Sequence, residues 1–506
     1  MPLERIRILQ IGPCDLSLSL QIPSNVEWIY ANEITDLKLK EIDLFLLDRN
    51  IRESEYNYFF ELVKAYRVFV FEDLDVDACT KTFMKSKMAY SLNKEQLQSF
   101  IHEDSSFFFS YSYGEQYEPQ TLQISQNFKG EIAWNGFQGV QLKGKYGETF
   151  YQIAYWKCNL PIHTNQGIDL WLEYEKDNSV SIELRVDLIV SGSLSDLVDT
   201  FIFTEDDLSM PVFIQNTHPD CKFFVSLYAK GEGSLQIKAL HDRHSRKNYG
   251  TFLPGGIRRV NKNREESFFY FDPMDMKPPL CVYFSGYKTQ EGFEGYNMMR
   301  RFHTPFLLIS ESRLEGGAFY IGDDEYEQLI KDEIQDCLDF LDFSSSDLIF
   351  SGLSMGTYGA LYYGCFFKPY ALILGKPLAS IGSIALNERL NRPQGFPTSL
   401  DVLLKFCGDL SEDSIQKMNE RYWSLFDQSD WSDTRFIISY MIEDDYDSNA
   451  YQKLIQHIDS NHITLFGKGL HGRHNDNSYG IVSWFIQQYQ LLLENDFERK
   501  FGDDDA

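Results

Sequence analysis

Over the first hundred residues, short apolar runs take turns with polar stretches. "RIRILQIG" (5–12), "VEWIYA" (26–31), "IDLFLLD" (42–48) and "VFVFE" (68–72) have strand length, and "SEYNYFFELVKAY" (54–66) carries apolar residues at helical spacing. Strand and helix in alternation predict a small α/β domain with a parallel sheet over 1–104. "QIGPCDLS" after the first run lacks the GxGxxG pattern, so no dinucleotide site is expected. From 105 onward the pattern changes. "IDLWLEYE" (168–175), "VSIELRVDLIV" (180–190), "FFVSLYA" (223–229) and "SLQIKAL" (234–240) alternate in part between polar turns. Many strands at short spacing predict an antiparallel β-sandwich over 105–265. The basic, turn-rich segment 240–267 reads as the connection leaving it, with His241 and His244 in a solvated loop.

From 266 to 506 strand and helix alternate again. "PLCVYFSG" (279–286), "PFLLIS" (305–310), "DLIFSG" (347–352), "ALILG" (371–375), "RFIISYMI" (435–442) and "HITLFG" (462–467) are predicted strands. "DEYEQLIKDEIQDCLDFL" (324–341) is amphipathic with acids at its start, and 479–497 reads as a closing helix. The expected fold class is α/β, with a parallel sheet covered on both faces in this last domain. Residues 376–434 exceed what a crossover needs, which predicts either a lid or a structural helical insertion.

Composition narrows the function classes. The chain has 506 residues and a net charge of -28, which would repel phosphate backbones, so nucleic-acid binding is not expected. No apolar stretch approaches the ~18 residues of a membrane helix. The start, with Glu4 among its charges and a short apolar run, reads as a first strand and not a secretory signal, so a cytoplasmic location is expected. The end, "FGDDDA", reads as a frayed acidic tail. The eight cysteines form no CxxC pair, which argues against a zinc site or a disulfide framework. Trp134, Trp156 and Trp171 could stack on sugars if exposed; filling the sandwich core is the simpler reading.

The chemistry centres on Gly352-Leu353-Ser354-Met355-Gly356, a GxSxG sequence between a predicted strand and a small-residue helix. Such a turn lifts a serine hydroxyl above the sheet, and the glycines keep the turn free of clashes. A serine needs a base, and the base needs an orienting acid. In α/β-hydrolase order the acid follows the serine and the histidine comes last. Glu443-Asp444-Asp445 end the strand 435–442, and Asp444 is the favoured acid, with Glu443 and Asp445 as competitors. The loop "KGLHGRHNDNSYG" offers His471 and His474, of which His474 sits just ahead of the last helix. His457 and His462 lie in a predicted helix and at a strand start, wrong places for the base. Backbone N–H donors for an oxyanion are expected from Met355 and from Gly286 or Tyr287.

"FSGLSMGTYGALYYG", the upstream "GAFYIGDDEYE" and the downstream "GLHGRHNDNSYG" resemble the accessory Sec system protein 2 family of Gram-positive bacteria, and the resemblance covers essentially the whole chain. It implies an α/β-hydrolase-like protein with a Ser–acid–His triad, carried over to Ser354 and His474. The acid it implies can be glutamate, so Asp444 and Glu443 both stay open. It further implies O-acetylation of N-acetylglucosamine on serine-rich-repeat glycoprotein adhesins, and support of their export apart from catalysis. The implied partners are accessory secretory proteins 1 and 3, a SecA-type motor ATPase and the adhesin, at the inner face of the membrane. No tightly bound cofactor or metal is implied, only an acetyl donor as co-substrate. An esterase or deacetylase on the same fold, and a scaffold with an idle triad, are the alternatives.

Overall fold

The computed structural model describes residues 5–33, 42–161, 164–193, 196–390, 395–458 and 463–501. The readings made for residues 1–4, for His462 and for the tail at 502–506 lie outside the described residues. The amino-terminal sheet holds five parallel strands, Ile6–Ile11, Val26–Ala31, Leu44–Leu47, Val68–Phe71 and Tyr90–Leu92, in the order 2-1-3-4-5. Apolar residues serve both faces: Ile6 and Ile8 enter one core, Leu9 and Ile11 the other. Tyr90–Leu92 was not legible, being three residues long with a serine at its centre.

The middle of the chain is an antiparallel sheet wrapped around its own apolar core. Val180–Val190 buries every second residue from Val180 to Leu188, the period-two pattern of a half-buried strand. Where two strands were predicted at 223–240, one runs unbroken from Cys221 to His244. Its "KGEG" stretch reads as a turn, yet Gly231 and Gly233, at φ of 102° and 151°, let the chain change course without leaving the sheet. The strand pairs with Val180–Val190 before these glycines and with Gly167–Lys176 after them. Trp156 and Trp171 are buried, so neither offers a face to a sugar; Trp134 is 49% exposed.

The solvated loop expected at His241 and His244 is not there. The strand continues through His244, and His241 is fully buried at the junction with the last domain. The charges in "HDRH" are satisfied across that junction and not by water. Arg243 makes two parallel hydrogen bonds to Glu266, at 2.8 and 2.6 Å, and donates to Glu291 through Nε at 2.6 Å. His241 places Nδ1 2.7 Å from Glu291 and Nε2 3.1 Å from Glu173. A ring with a carboxylate on each nitrogen donates from both and is an imidazolium. Burial opposes that charge, but Glu291 and Glu173 outweigh it and push the pKa up to about 9. Glu173, His241 and Glu266 stand close enough to hold a cation. Arg243 and Arg258 already place two guanidinium groups on Glu266.

This ring carries a pH signature. Its pKa lies above the ordinary histidine value of 6.5, so its contribution is complete below about pH 6.5 and fades as pH rises through about 9. Denaturant midpoints taken from pH 6.5 to 9.5 should fall more in the native chain than in His241→Asn. The difference should be on the order of 3 kcal/mol. Parallel pH curves for the two proteins would contradict the assignment.

The last domain has an eight-stranded sheet. Ile257–Val260 and Glu266–Asp272 form an antiparallel edge. Six parallel strands follow: Phe306–Glu311, Leu280–Phe284, Leu348–Leu353, Ala371–Gly375, Arg435–Met441 and Leu465–Leu470. The sheet therefore begins ahead of the boundary expected at 266, because Ile257–Val260 pairs with Glu266–Asp272. Alternate residues enter opposite cores: Leu280, Val282 and Phe284 one, Cys281 and Tyr283 the other. This is the doubly covered α/β sheet the apolar runs predict. The helix Asp324–Leu341 is capped by Asp323, which accepts from Tyr326 N–H at 2.8 Å. The 376–434 segment folds as three helices, Ile381–Leu390, Thr398–Cys407 and Glu412–Gln428. Among the described residues no helix is long and apolar enough to cross a membrane.

Candidate active site

The strand Leu348–Leu353 lies in the middle of the sheet, and its chain turns directly into the helix Met355–Phe367. Ser354 is the turn, at φ 53° and ψ −121°. A non-glycine residue held there is strained by ~1–3 kcal/mol and persists only where its surroundings fix it. Ser354 N–H donates to Gly375 O at 2.8 Å. Bare glycines make the turn possible: a Cβ on Gly356 would stand 2.0 Å from Phe284 O, and one on Gly352 2.4 Å from Gly356 C.

Three predicted residues meet at this point. Ser354 Oγ lies 2.8 Å from His474 Nε2, and His474 Nδ1 lies 2.7 Å from Asp444 Oδ2. With its proton on Nδ1, the ring donates to Asp444 and accepts from the serine hydroxyl. Burial raises the Asp444 carboxyl, but His474 and the N–H groups of Tyr446 and Asp447 outweigh it and hold the group below the usual carboxylate range. It stays an anion at neutral pH and fixes the ring.

The competing residues have other partners. Glu443 pairs with His471 at 3.0 Å on the surface and accepts from Gly472 N–H at 2.6 Å. His471 is thus engaged away from the serine. Asp445 Oδ1 accepts from His474 N–H at 3.1 Å and steadies the histidine through its backbone. Each acid in "EDD" therefore has its own task, which the adjacency of the three letters could not show.

Several contributors were not foreseen. Tyr446 stacks on the His474 ring at 4.2 Å between centroids and 18° between planes. Its other neighbour is Phe396, from the helical insertion, at 5.4 Å. The insertion thus reaches His474 through two stacked rings. Lys376 sits close to Asp444 and Glu294 with its ammonium pushed down by burial. The signal for Tyr446 was an aromatic two residues past the acid; Lys376 follows the predicted strand 371–375 directly.

The oxyanion donors differ from one another. Met355 opens the helix, and its N–H has no acceptor among the described residues. Gly286 N–H donates to Glu294 Oε2 at 2.6 Å, so a carboxylate already holds it. Tyr287 N–H, the other candidate in that loop, has no acceptor among the described residues. Glu294 lies in the same glycine-rich loop, "SGYKTQEGFEGYN", and its charge there was visible but unread.

Asp444→Asn should leave the geometry in place while reversing the proton on the histidine. An asparagine amide presented to Nδ1 favours the tautomer with a proton on Nε2, which cannot accept from Ser354. Turnover of p-nitrophenyl acetate should fall roughly 10²–10⁴-fold, and Asp444→Glu should keep part of it. A rate within threefold of the native rate in Asp444→Asn would remove Asp444 from the triad.

Comparison with known proteins agrees over the full length. A family model described as "Accessory Sec system GspB-transporter" matches residues 6–499. An accessory Sec system protein of Streptococcus gordonii is 38% identical over 98% of this chain and 99% of its own. One from Staphylococcus aureus is 38% identical, with 98% of each chain covered. A chain of the solved Glycosylation Associate Protein (Gap123) complex from Streptococcus agalactiae has a TM-score of 0.89 at 38% identity. It covers 98% of this chain and 99% of that one. This chain belongs to the accessory Sec system GspB-transporter family.

Proposed function

We propose that the protein is a serine acyltransferase that O-acetylates N-acetylglucosamine on a serine-rich-repeat adhesin and assists its export. The observation that carries the catalytic part is the continuous chain from Ser354 Oγ through His474 to Asp444 on a strained strand-to-helix turn. Ser354 Oγ attacks the acetyl carbonyl of the donor while His474 takes its proton. Met355 N–H and a second N–H from the Gly286–Tyr287 loop stabilise the tetrahedral oxyanion. Collapse expels the donor's leaving group, which takes the proton from His474, and leaves acetyl-Ser354. A sugar hydroxyl then attacks the ester with His474 as base, and the serine leaves as the acetylated sugar forms. The export role rests on family membership and on the 0.89 TM-score to a chain of a multi-protein complex. Accessory secretory proteins 1 and 3 and a SecA-type motor at the cytoplasmic face of the membrane are the proposed partners.

One observation favours a second reading, a scaffold whose site rests closed: Glu294 on Gly286 N–H. Glycosylated adhesin incubated with the protein and an acetyl donor separates the readings. Acetyl groups on the sugars, detected by mass spectrometry, support the transferase. Free acetate without sugar transfer supports the esterase. Neither product, with export still dependent on the protein, supports the scaffold.

A further inference from the structure

A cavity of about 370 Å³ lies between the amino-terminal domain and the hydrolase domain, far from the serine. Asp272 on its wall pairs with Phe306, at the amino end of a parallel strand, whereas Ser354 follows the carboxyl end of its own. The sheet therefore separates the two places, and the cavity's role is independent of any reading of the triad.

Its lining is basic in a chain of net charge -28. Lys64 and Lys87 come from the amino-terminal domain, Arg300 and Arg301 from the hydrolase domain. Lys87 is the telling residue. It is 3% exposed, and its ammonium donates to one acceptor, Phe60 O at 2.7 Å, while lying over the Phe60 ring. An ammonium carries three donors. Among the described residues no carboxylate stands within ion-pair distance of Lys87, Arg300 or Arg301. A buried ammonium with one direct acceptor and no direct ion pair is costly to desolvate. Burial, with Arg300 nearby, pushes its pKa down to about 8 against the opposing pull of Asp272 and Glu61, and an arriving anion would raise it again. Glu61 and Asp272 also line the space, and Asp272 accepts from Met274 N–H at 3.0 Å. Burial pushes the Asp272 carboxyl up, while Lys87 and Arg300 pull it back toward its charged form.

We propose that this cavity binds a phosphate-bearing ligand, its phosphoryl oxygens taken by Lys87 from one domain and Arg300 and Arg301 from the other. Phosphate oxygens match both the point charge of lysine and the planar fork of arginine. A ligand bridging the two domains would also brace their junction.

The test is calorimetric titration of the full-length protein with inorganic pyrophosphate, against Lys87→Met and the double variant Arg300→Gln/Arg301→Gln. Saturable one-to-one binding is expected, weakened roughly tenfold or more in each variant and by added salt. Lys87→Met exchanges a buried ammonium with no direct ion pair for an apolar chain of similar length, so its melting temperature should change little. The arginine pair lies nearer the surface and gives a second readout that does not depend on core packing. Co-sedimentation with phosphatidylglycerol vesicles identifies the source. Vesicle binding that both variants lose, without pyrophosphate binding, assigns the phosphate to a lipid headgroup; pyrophosphate binding that both lose assigns it to a soluble ester. Absence of binding in both arms, or binding that both variants keep, overturns the proposal.

Discussion

Ser354→Ala is expected to lower acyl transfer and ester hydrolysis by roughly 10³–10⁶-fold while leaving the fold intact. The hydroxyl is the only group of the three that bonds to the acyl carbon, so nothing else replaces it. The residual rate would come from the backbone donors and from binding alone. Folding should not suffer, because the main chain of the turn is fixed by Gly375 O and by the two glycines and not by the hydroxyl. Circular dichroism and melting should match the native protein. In cells the same variant separates the roles: sugar acetylation should disappear while adhesin export continues. Acetylation within tenfold of native in Ser354→Ala would end the acyl-enzyme mechanism. Export lost together with acetylation would show that transport depends on the chemistry.

Arg243→Met should cost about 3–5 kcal/mol of stability, the expected penalty for leaving buried charge uncompensated. The guanidinium satisfies two carboxylates at once, Glu266 on the strand next to the edge of the last domain's sheet and Glu291 in the loop after Leu280–Phe284. Both are nearly or wholly inaccessible to water. Without Arg243, Arg258 still reaches Glu266 and His241 still reaches Glu291, which limits the loss but does not replace a bidentate pair. Urea unfolding followed by tryptophan fluorescence measures it. Adding Glu266→Gln to Arg243→Met should recover part of the loss, since the orphaned charge goes with it. A loss below 1 kcal/mol would mean that water enters this junction freely. Glu291 shares its loop with Gly286 and Tyr287, so the sandwich helps place the loop that carries them.

The sequence revealed most where one rule acted alone. Unbroken apolar runs located the parallel strands, since both faces are buried: Leu280, Val282 and Phe284 face one core and Cys281 and Tyr283 the other. The order Ser354, Asp444, His474 was readable because the hydrolase connectivity permits few positions for acid and base. It failed where the partner of a charge lies far along the chain. His241 looks like a loop residue beside Arg243 and His244, and only Glu173 and Glu291 explain its burial. "KGEG" looks like a turn because its glycines signal one, and here they bend a continuous strand. Glu294 and Tyr446 were hidden for another reason. Their roles depend on side-chain direction, which no local pattern encodes.

The charged junction also bears on how this protein can be taken apart. Six acidic and basic side chains from two domains neutralise one another out of contact with water, and they come from strands and a loop on both sides of residue 265. The carboxyl-terminal α/β half is therefore not a cassette that could be lifted out, fused or swapped as a free-standing domain. Its boundary is drawn by electrostatics through the middle of an ion cluster, and the sandwich is as much a part of the frame around Ser354 as the sheet that carries it.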